Sequence, residues 1–178
     1  MAVGEVPRVQ PVGPAPLRRR RPPLIDKLVS GGQTGVDRAA LDTALSLGIP
    51  CGGWCPKGRL AEDGPIPARY PLSETPSDRA IQRTEWNVRD SDATLVLVRG
   101  SATGGTRATI DFAQSMARPC HIVTFGSNPA PPAATSAWLR HHGVHILNVA
   151  GPRETQSRGI YRQARAYLAT LLAPAPGA

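Results

Sequence analysis

Aromatic side chains are scarce in this chain: two Phe, three Trp and three Tyr make up only 4% of 178 residues. A core must therefore be built from Leu, Ile, Val and Ala, and a hydrophobic content of 40% supplies enough for one ordinary domain. Cysteine is nearly absent too, and three of them, an odd number, exclude a disulfide framework. No apolar run approaches the roughly 18 residues that span a bilayer, so no membrane association is expected. The opening stretch "MAVGEVPRVQPVGPAPL" is broken by prolines and lacks the apolar run of a secretory signal. A cytoplasmic location is the expectation.

What the chain has in excess is positive charge, +8 in all. Half of it sits in residues 1–23, where Arg8, Arg18, Arg19, Arg20 and Arg21 stand against Glu5. The remainder is mild and suits an anionic small molecule. A nucleic-acid surface calls for a clustered basic face or for basic residues interleaved with aromatics, and neither is present. Residues 1–23, rich in Pro, Gly, Val and Arg without a period, read as a disordered leader, and 173–178 as a frayed tail. The folded domain is expected over 24–172.

Within that span apolar strands alternate with helical patterns. "LIDKLVSGG" is a strand ending in glycines, and "VDRAALDTALSLG" places Val36, Ala39, Ala40, Thr43, Ala44 and Leu47 on one helical face before Gly48. "IPCGGW" reads as a brief second strand. From Cys55 to Pro76, prolines and glycines predict a long loop without regular structure. "SDRAIQRTEWNVRDS" reads as a polar helix capped by Ser77, and "ATLVLV" as a fully buried strand. The helix "GGTRATIDFAQSMA", the strand "CHIVTFG", the helix "AATSAWLRHHG", the strand "VHILNVAG" and the helix "SRGIYRQARAYLATLL" complete the chain. The alternation predicts an α/β fold with a mainly parallel sheet of about five strands, covered on both faces. Ligands of such sheets sit beyond the carboxyl ends of the strands, where the unusual sequences also fall.

Two of these stretches share a design. In "SGGQTGVDRAAL" the glycines Gly31, Gly32 and Gly35, with Gln33 and Thr34 between them, let the backbone turn tightly into a helix whose N–H groups point outward. That combination binds phosphate or carboxylate, although the same turn also serves as a plain connection with Thr34 or Asp37 at the helix start. "SATGGTRATIDFA" repeats it with Gly104, Gly105 and Thr106 after another apolar strand. The intervening loop offers Lys57 and Arg59 to phosphate oxygens, and Glu62 or Asp63 to ring or ribose donors. Trp54 and Trp86 are able either to stack on a flat ring or to pack beneath the loop. Arg153 and Glu154 follow a strand and stand at the pocket rim or between subunits. Asp90 and Asp92 are expected to cap or to pair locally with Arg89. Four histidines without metal-ligand spacing read as packing residues. Cys51 and Cys55, at C-x3-C spacing in a Pro/Gly loop, fit neither a zinc site nor a redox motif. No metal site is expected.

The segments "SGGQTGVDRAALD", "GGWCPKGRLAEDGPIPARYPL", "RTEWNVRDSDATLVL", "GGT" and "NVAGPRE…GIY" resemble the molybdenum cofactor carrier family. That family is a circularly permuted branch of the Rossmann-like superfamily related to the lonely-guy phosphoribohydrolases and so-called lysine decarboxylases. The resemblance runs from about Lys27 to Leu168. It implies a Rossmann-like three-layer sandwich, a homo-oligomer, and a pocket for a pterin or nucleotide-like phosphate, with the molybdenum cofactor as ligand. The enzymatic relatives place a catalytic Glu three residues after the Thr of their Pro-Gly-Gly-x-Gly-Thr pattern; here Thr109 occupies that place, and Ala102-Thr103 stand where the pattern has its Pro-Gly. Their phosphate-holding arginine corresponds to Arg83. Without the carboxylate, binding is expected rather than turnover, unless Asp111 or Glu85 substitutes. The leading expectation is thus a cytoplasmic carrier that binds its ligand through Gly31, Gly32, Gln33, Thr34, Gly35, Arg83, Gly104, Gly105 and Thr106, with Lys57 and Arg59 closing over it. The alternatives are a nucleotide-processing enzyme, and a sensor of a nucleotide-derived ligand that acts with a partner through the basic leader.

Overall fold

A computed structural model describes residues 23–174. The expected leader, apart from Pro23, and most of the expected tail therefore lie outside the described residues. The order along the chain is β1 (Lys27–Val29), α1 (Val36–Leu47), β2 (Cys51–Gly52), β3 (Trp54–Cys55), β4 (Leu60–Ala61), β5 (Gly64–Pro65), β6 (Ser73–Glu74), α2 (Ala80–Arg89), β7 (Ala93–Val98), α3 (Gly104–Ser115), β8 (Cys120–Thr124), α4 (Pro132–His141), β9 (Ile146–Ala150) and α5 (Ile160–Leu172).

Five strands form one parallel sheet in the order β2-β1-β9-β7-β8. Every residue of β7 is buried, which is why "ATLVLV" shows no alternation: helices cover both of its faces. On one side α1, α4 and α5 pack together over Leu28, Leu95, Leu97, Leu147 and Val149. On the other, α2 packs on α3, and Ile110 of α3 meets Val96 and Val98. The result is the three-layer α/β sandwich that the alternating pattern predicts. Truncating a fully buried leucine such as Leu147 to Ala is worth about 2–5 kcal/mol.

The last strand of the chain lies in the middle of the sheet. Counting β9 as the first strand converts the order to 3-2-1-4-5, the Rossmann arrangement, so the topology is that of a Rossmann sheet cut and rejoined elsewhere. Strand β9 aligns Leu147 with Leu28 of β1 on one side and Val149 with Leu95 of β7 on the other. Asp92 accepts hydrogen bonds from the backbone N–H groups of His145 (2.9 Å) and Ile146 (2.7 Å), tying the start of β9 to that of β7. That is the role of Asp92 in place of a local pairing with Arg89, whereas Asp90 does pair with Arg89.

Two local expectations change. The stretch from Cys55 to Pro76 is not devoid of regular structure: β4 and β5 form an antiparallel pair, and β3 pairs in parallel with β6. Each is only two residues long, too short to leave a periodic trace. Helix α2 begins at Ala80 after Arg79, and the Ser77 hydroxyl accepts the Arg79 N–H at 3.1 Å within the preceding turn. Helix α1 stops where expected, at Gly48 in the left-handed conformation.

Candidate functional site

In a 3-2-1-4-5 sheet the chain reverses direction between the strands counted first and fourth, here β9 and β7, and a crevice opens beyond their carboxyl ends. A cavity of about 290 Å³ occupies that place. Its walls are Gln33 and Asp37 from the β1–α1 turn and α1, Ala80, Ile81, Arg83 and Thr84 around α2, Gly104 to Thr106 with Ala108 and Thr109 from α3, and Ala150, Gly151, Arg153 and Gln156 after β9. A smaller recess of about 90 Å³ adjoins it, sharing Thr106 and Gln156.

The two glycine-rich turns behave differently. At α1 most outward donors already have protein acceptors. Val36 N–H donates to the Pro152 carbonyl (3.3 Å), Arg38 N–H to the Gln33 carbonyl (3.2 Å), Gln33 N–H to Asp37 Oδ2 (3.3 Å) and Thr34 N–H to Gln33 Oε1 (3.0 Å). At α3 the Thr106 and Arg107 N–H groups turn back to the Thr103 carbonyl, and no side chain caps the helix. The N–H groups of Gly104 and Gly105 have no acceptor among the described residues, and both glycines line the cavity. A helix start with unengaged donors and the positive end of its dipole is suited to an anion.

Arg83 is the second anion-directed element. Its side chain is only 15% exposed, its Nη1 donates to Asp37 Oδ2 at 3.0 Å, and its Nε is buried without an acceptor. It reaches this position because residue 31 is glycine: a Cβ there would overlap the guanidinium itself. Asp37 is buried at 3% exposure; burial pushes its pKa up, against the opposing pull of Arg83. Gln33 accepts the N–H groups of Thr34 and Glu62 (2.9 Å) on Oε1, which fixes the orientation of its amide and leaves its Nε2 donor without a described partner.

Of the expected ligand residues, Gln33, Arg83, Gly104, Gly105 and Thr106 line this cavity together. Gly31, Gly32, Thr34 and Gly35 do not line it, and the positive φ of Gly32 and Gly35 shapes the turn. Lys57 and Arg59 do not line it. The Arg59 guanidinium donates to the carbonyls of Ile66 (3.0 Å), Leu72 (3.1 Å), Pro67 (3.0 Å) and Tyr70 (2.9 Å), so it holds the loop together from within. Lys57 is exposed. The loop carboxylates are engaged as well. Glu62 accepts the hydroxyls of Thr34 and Thr155, the latter at 2.5 Å, and Asp63 pairs with Arg38 at 2.6 Å and 2.7 Å. Trp54 and Trp86 meet edge to face at 4.8 Å, and the Trp54 indole donates to Asp90 (2.7 Å), which is the packing role. Arg153 lines the cavity, while Glu154 accepts the Gly159 and Tyr161 N–H groups at the start of α5.

Thr109 lines the cavity, but its hydroxyl donates to the Gly105 carbonyl at 2.9 Å. Asp111 is exposed and paired with Arg107 at 2.8 Å, and neither it nor Glu85 lines the cavity. Sequence reasoning passed over Asp37, the carboxylate among the lining residues, except as a helix cap. Its signal was an acidic residue on the otherwise apolar inner face of α1. Cys55 is buried and Cys51 half-buried, and burial pushes both thiols up, away from the thiolate form that binds metals. His121 stacks on Trp138 at 5.0 Å. No described helix is long and apolar enough to cross a membrane.

The model of the circularly permutated YpsA SLOG family matches residues 28–172. Among solved structures, the chain is similar to one from Syntrophus aciditrophicus SB named "Putative molybdenum carrier protein", at 43% identity and a TM-score of 0.81, over 85% of this chain and 97% of that one. No curated protein matches.

Proposed function

The chain belongs to the circularly permuted YpsA SLOG family, and from that premise we propose that it is a carrier that holds the molybdenum cofactor by its pterin and terminal phosphate. The observation that carries this reading is the pairing of two anion-directed elements across one cavity: the buried Arg83, whose Nε has no acceptor, and the open donors of Gly104 and Gly105. A planar arginine fork and a helix start together suit the oxygens of a phosphate. Arg153 adds a second positive side chain, and the half-exposed Ile81 offers an apolar surface to a ring. The name of the Syntrophus structure, a molybdenum carrier protein, supports molybdenum as the cargo.

The residues present fit the organic part of such a ligand. Among the described residues no three His, Cys, Asp or Glu side chains gather as metal ligands, so the protein would grip phosphate and ring and leave the metal to its own dithiolene. Retention without turnover is supported by the surroundings of Thr109: its hydroxyl is engaged by a helix carbonyl, and Asp37 is already paired with Arg83.

The test is to purify the protein from cells that make the cofactor and to measure bound pterin by fluorescence after oxidation. Near-equimolar pterin in the wild type, lost in Arg83→Ala, is the expected result. Protein that neither retains the pterin nor takes it up overturns the carrier reading. Release of free base from nucleoside monophosphates, abolished in Asp37→Asn, would replace it with the hydrolase reading.

A further inference from the structure

The cavity wall carries a polar pair, Asp37 and Gln33, that the anion-directed groups leave over. Asp37 and Gln33 adjoin each other, joined by the hydrogen bond from Gln33 N–H to Asp37 Oδ2, and both line the cavity while at least nine-tenths buried. Their remaining capacity is defined by the bonds they already make. Oδ2 of Asp37 serves Arg83 and the Gln33 backbone and leaves Oδ1 free of both, while the Ser30 hydroxyl, also in reach of the carboxylate, donates to the Val149 carbonyl at 2.7 Å. Oε1 of Gln33 serves two backbone N–H groups, so the side-chain amide presents its Nε2 donor. Neither atom belongs to the fully buried orphans, so an acceptor and a donor on two mostly buried side chains are left open to a ligand in the cavity they line.

We propose that Asp37 and Gln33 read the 2-amino-4-oxo pyrimidine edge shared by pterins and guanine, with Asp37 Oδ1 accepting the amino and ring N–H groups and Gln33 Nε2 donating to the oxo group. This deepens the carrier reading and rests on it, because it assigns the ring end of the same cavity whose phosphate end lies at Gly104 and Gly105. The complement is chemically narrow. Hypoxanthine offers the ring N–H and the oxo group but lacks the amino group. Adenine places an acceptor where the carboxylate needs a donor and an amino group where Gln33 needs an acceptor. A site that buries hydrogen-bonding groups rejects ligands that leave them unpaired far more strongly than an apolar slot does. Asp37, Arg83 and Arg153 are the charged side chains among the residues that line the cavity, and Thr84 and Ile81 add no charge.

Calorimetric titration of the full chain with GMP, IMP and AMP, with inorganic phosphate as competitor, tests the assignment on the unaltered protein. The expected result is GMP bound at least tenfold more tightly than IMP or AMP, and displaced by phosphate. Asp37→Asn, which keeps an acceptor for Gln33 N–H but replaces the other oxygen with an amide donor, should abolish the preference. Gln33→Glu preserves the Oε1 contacts, removes the donor, and should weaken GMP and IMP together. Equal binding of all three nucleotides with competition by phosphate overturns the ring assignment while the anion cavity stands. Failure of all three to bind also overturns it, and the pterin-retention measurement then separately decides the carrier reading.

Discussion

The guanidinium of Arg83 lies against the backbone of Gly31, where the absence of a side chain lets it reach Asp37 at 3.0 Å. Residues from α2 and from the β1–α1 turn, more than fifty positions apart, are thereby locked into one wall of the cavity. Gly31→Ala is expected to push the guanidinium out of place and leave Asp37 buried without its partner. We expect a loss of about 3 kcal/mol in denaturant unfolding, the scale of a broken buried ion pair, and at least a tenfold loss of pterin or nucleotide affinity. An unchanged affinity would mean that Arg83 does not contact the ligand.

Arg59→Ala addresses the expectation that this residue closes over the ligand. With its guanidinium engaged by four loop carbonyls, its removal should cost about 2–4 kcal/mol and raise protease cleavage between Gly58 and Leu72. Phosphate competition against a bound nucleotide should remain, since the cavity walls are elsewhere. Loss of anion binding in a stable, protease-resistant variant would return Arg59 to the site.

The burial of Asp37 predicts a pH dependence of stability. Because burial raises its pKa in the folded state, the folded protein holds that proton more tightly than the unfolded chain does. Its contribution therefore improves as the pH falls from neutral toward the ordinary carboxylate range, and levels off below the unfolded value. Relative to Asp37→Asn, the wild type should gain stability on acidification. A relative loss would show that Arg83 outweighs burial.

Glu62 should behave in the opposite way. Burial alone would raise it, but hydrogen bonds from the Thr155 and Thr34 hydroxyls prevail and hold it below the usual range. The stability it confers is present above the unfolded carboxylate pKa and is lost as the pH falls through the lowered folded value. Measured against Glu62→Gln, the wild type should lose its advantage at acid pH. Parallel profiles would remove the latch between the first turn and the segment after β9.

The sheet order makes a connectivity prediction. A permuted chain opened at Gly143, with residues 174 and 23 joined by a flexible Gly/Ser linker, starts with β9 and has its strands side by side in the order 3-2-1-4-5. It should fold cooperatively and retain the nucleotide or pterin affinity of the parent. Aggregation, or folding without binding, would show that the present cut point is needed for the site.

Much of the architecture was legible because its signals are local. The run "ATLVLV" can only be a strand covered on both faces, and Gly48 ends its helix through its own backbone conformation. The site was half legible. Gly104 and Gly105 mark a glycine-rich helix start, family resemblance points to Arg83, and all three line the cavity. Asp37 and Arg59 were not legible, since their roles depend on partners that the fold supplies: Arg83 lies 46 positions from Asp37, and the carbonyls around Arg59 belong to a loop whose two-residue strands have no period. The two glycine turns look alike in sequence. What separates them is the arrival of the Pro152 carbonyl at α1, a contact between residues far apart in the chain.

The central place of β9 sets the order of events during synthesis. A ribosome delivers β1 and β2, then β7 and β8, and these cannot join across the gap until the segment beyond Asp92's two backbone partners has emerged. Any pairing formed before then, β1 with β2 or β7 with β8, would leave an unpaired edge facing the place of β9, a template for mispairing. Arg153 and Gln156, which finish the cavity, leave the ribosome later still. The cavity is therefore incomplete until β9 and the segment after it have emerged, and a truncation anywhere before β9 should yield chaperone-bound fragments rather than a folded domain.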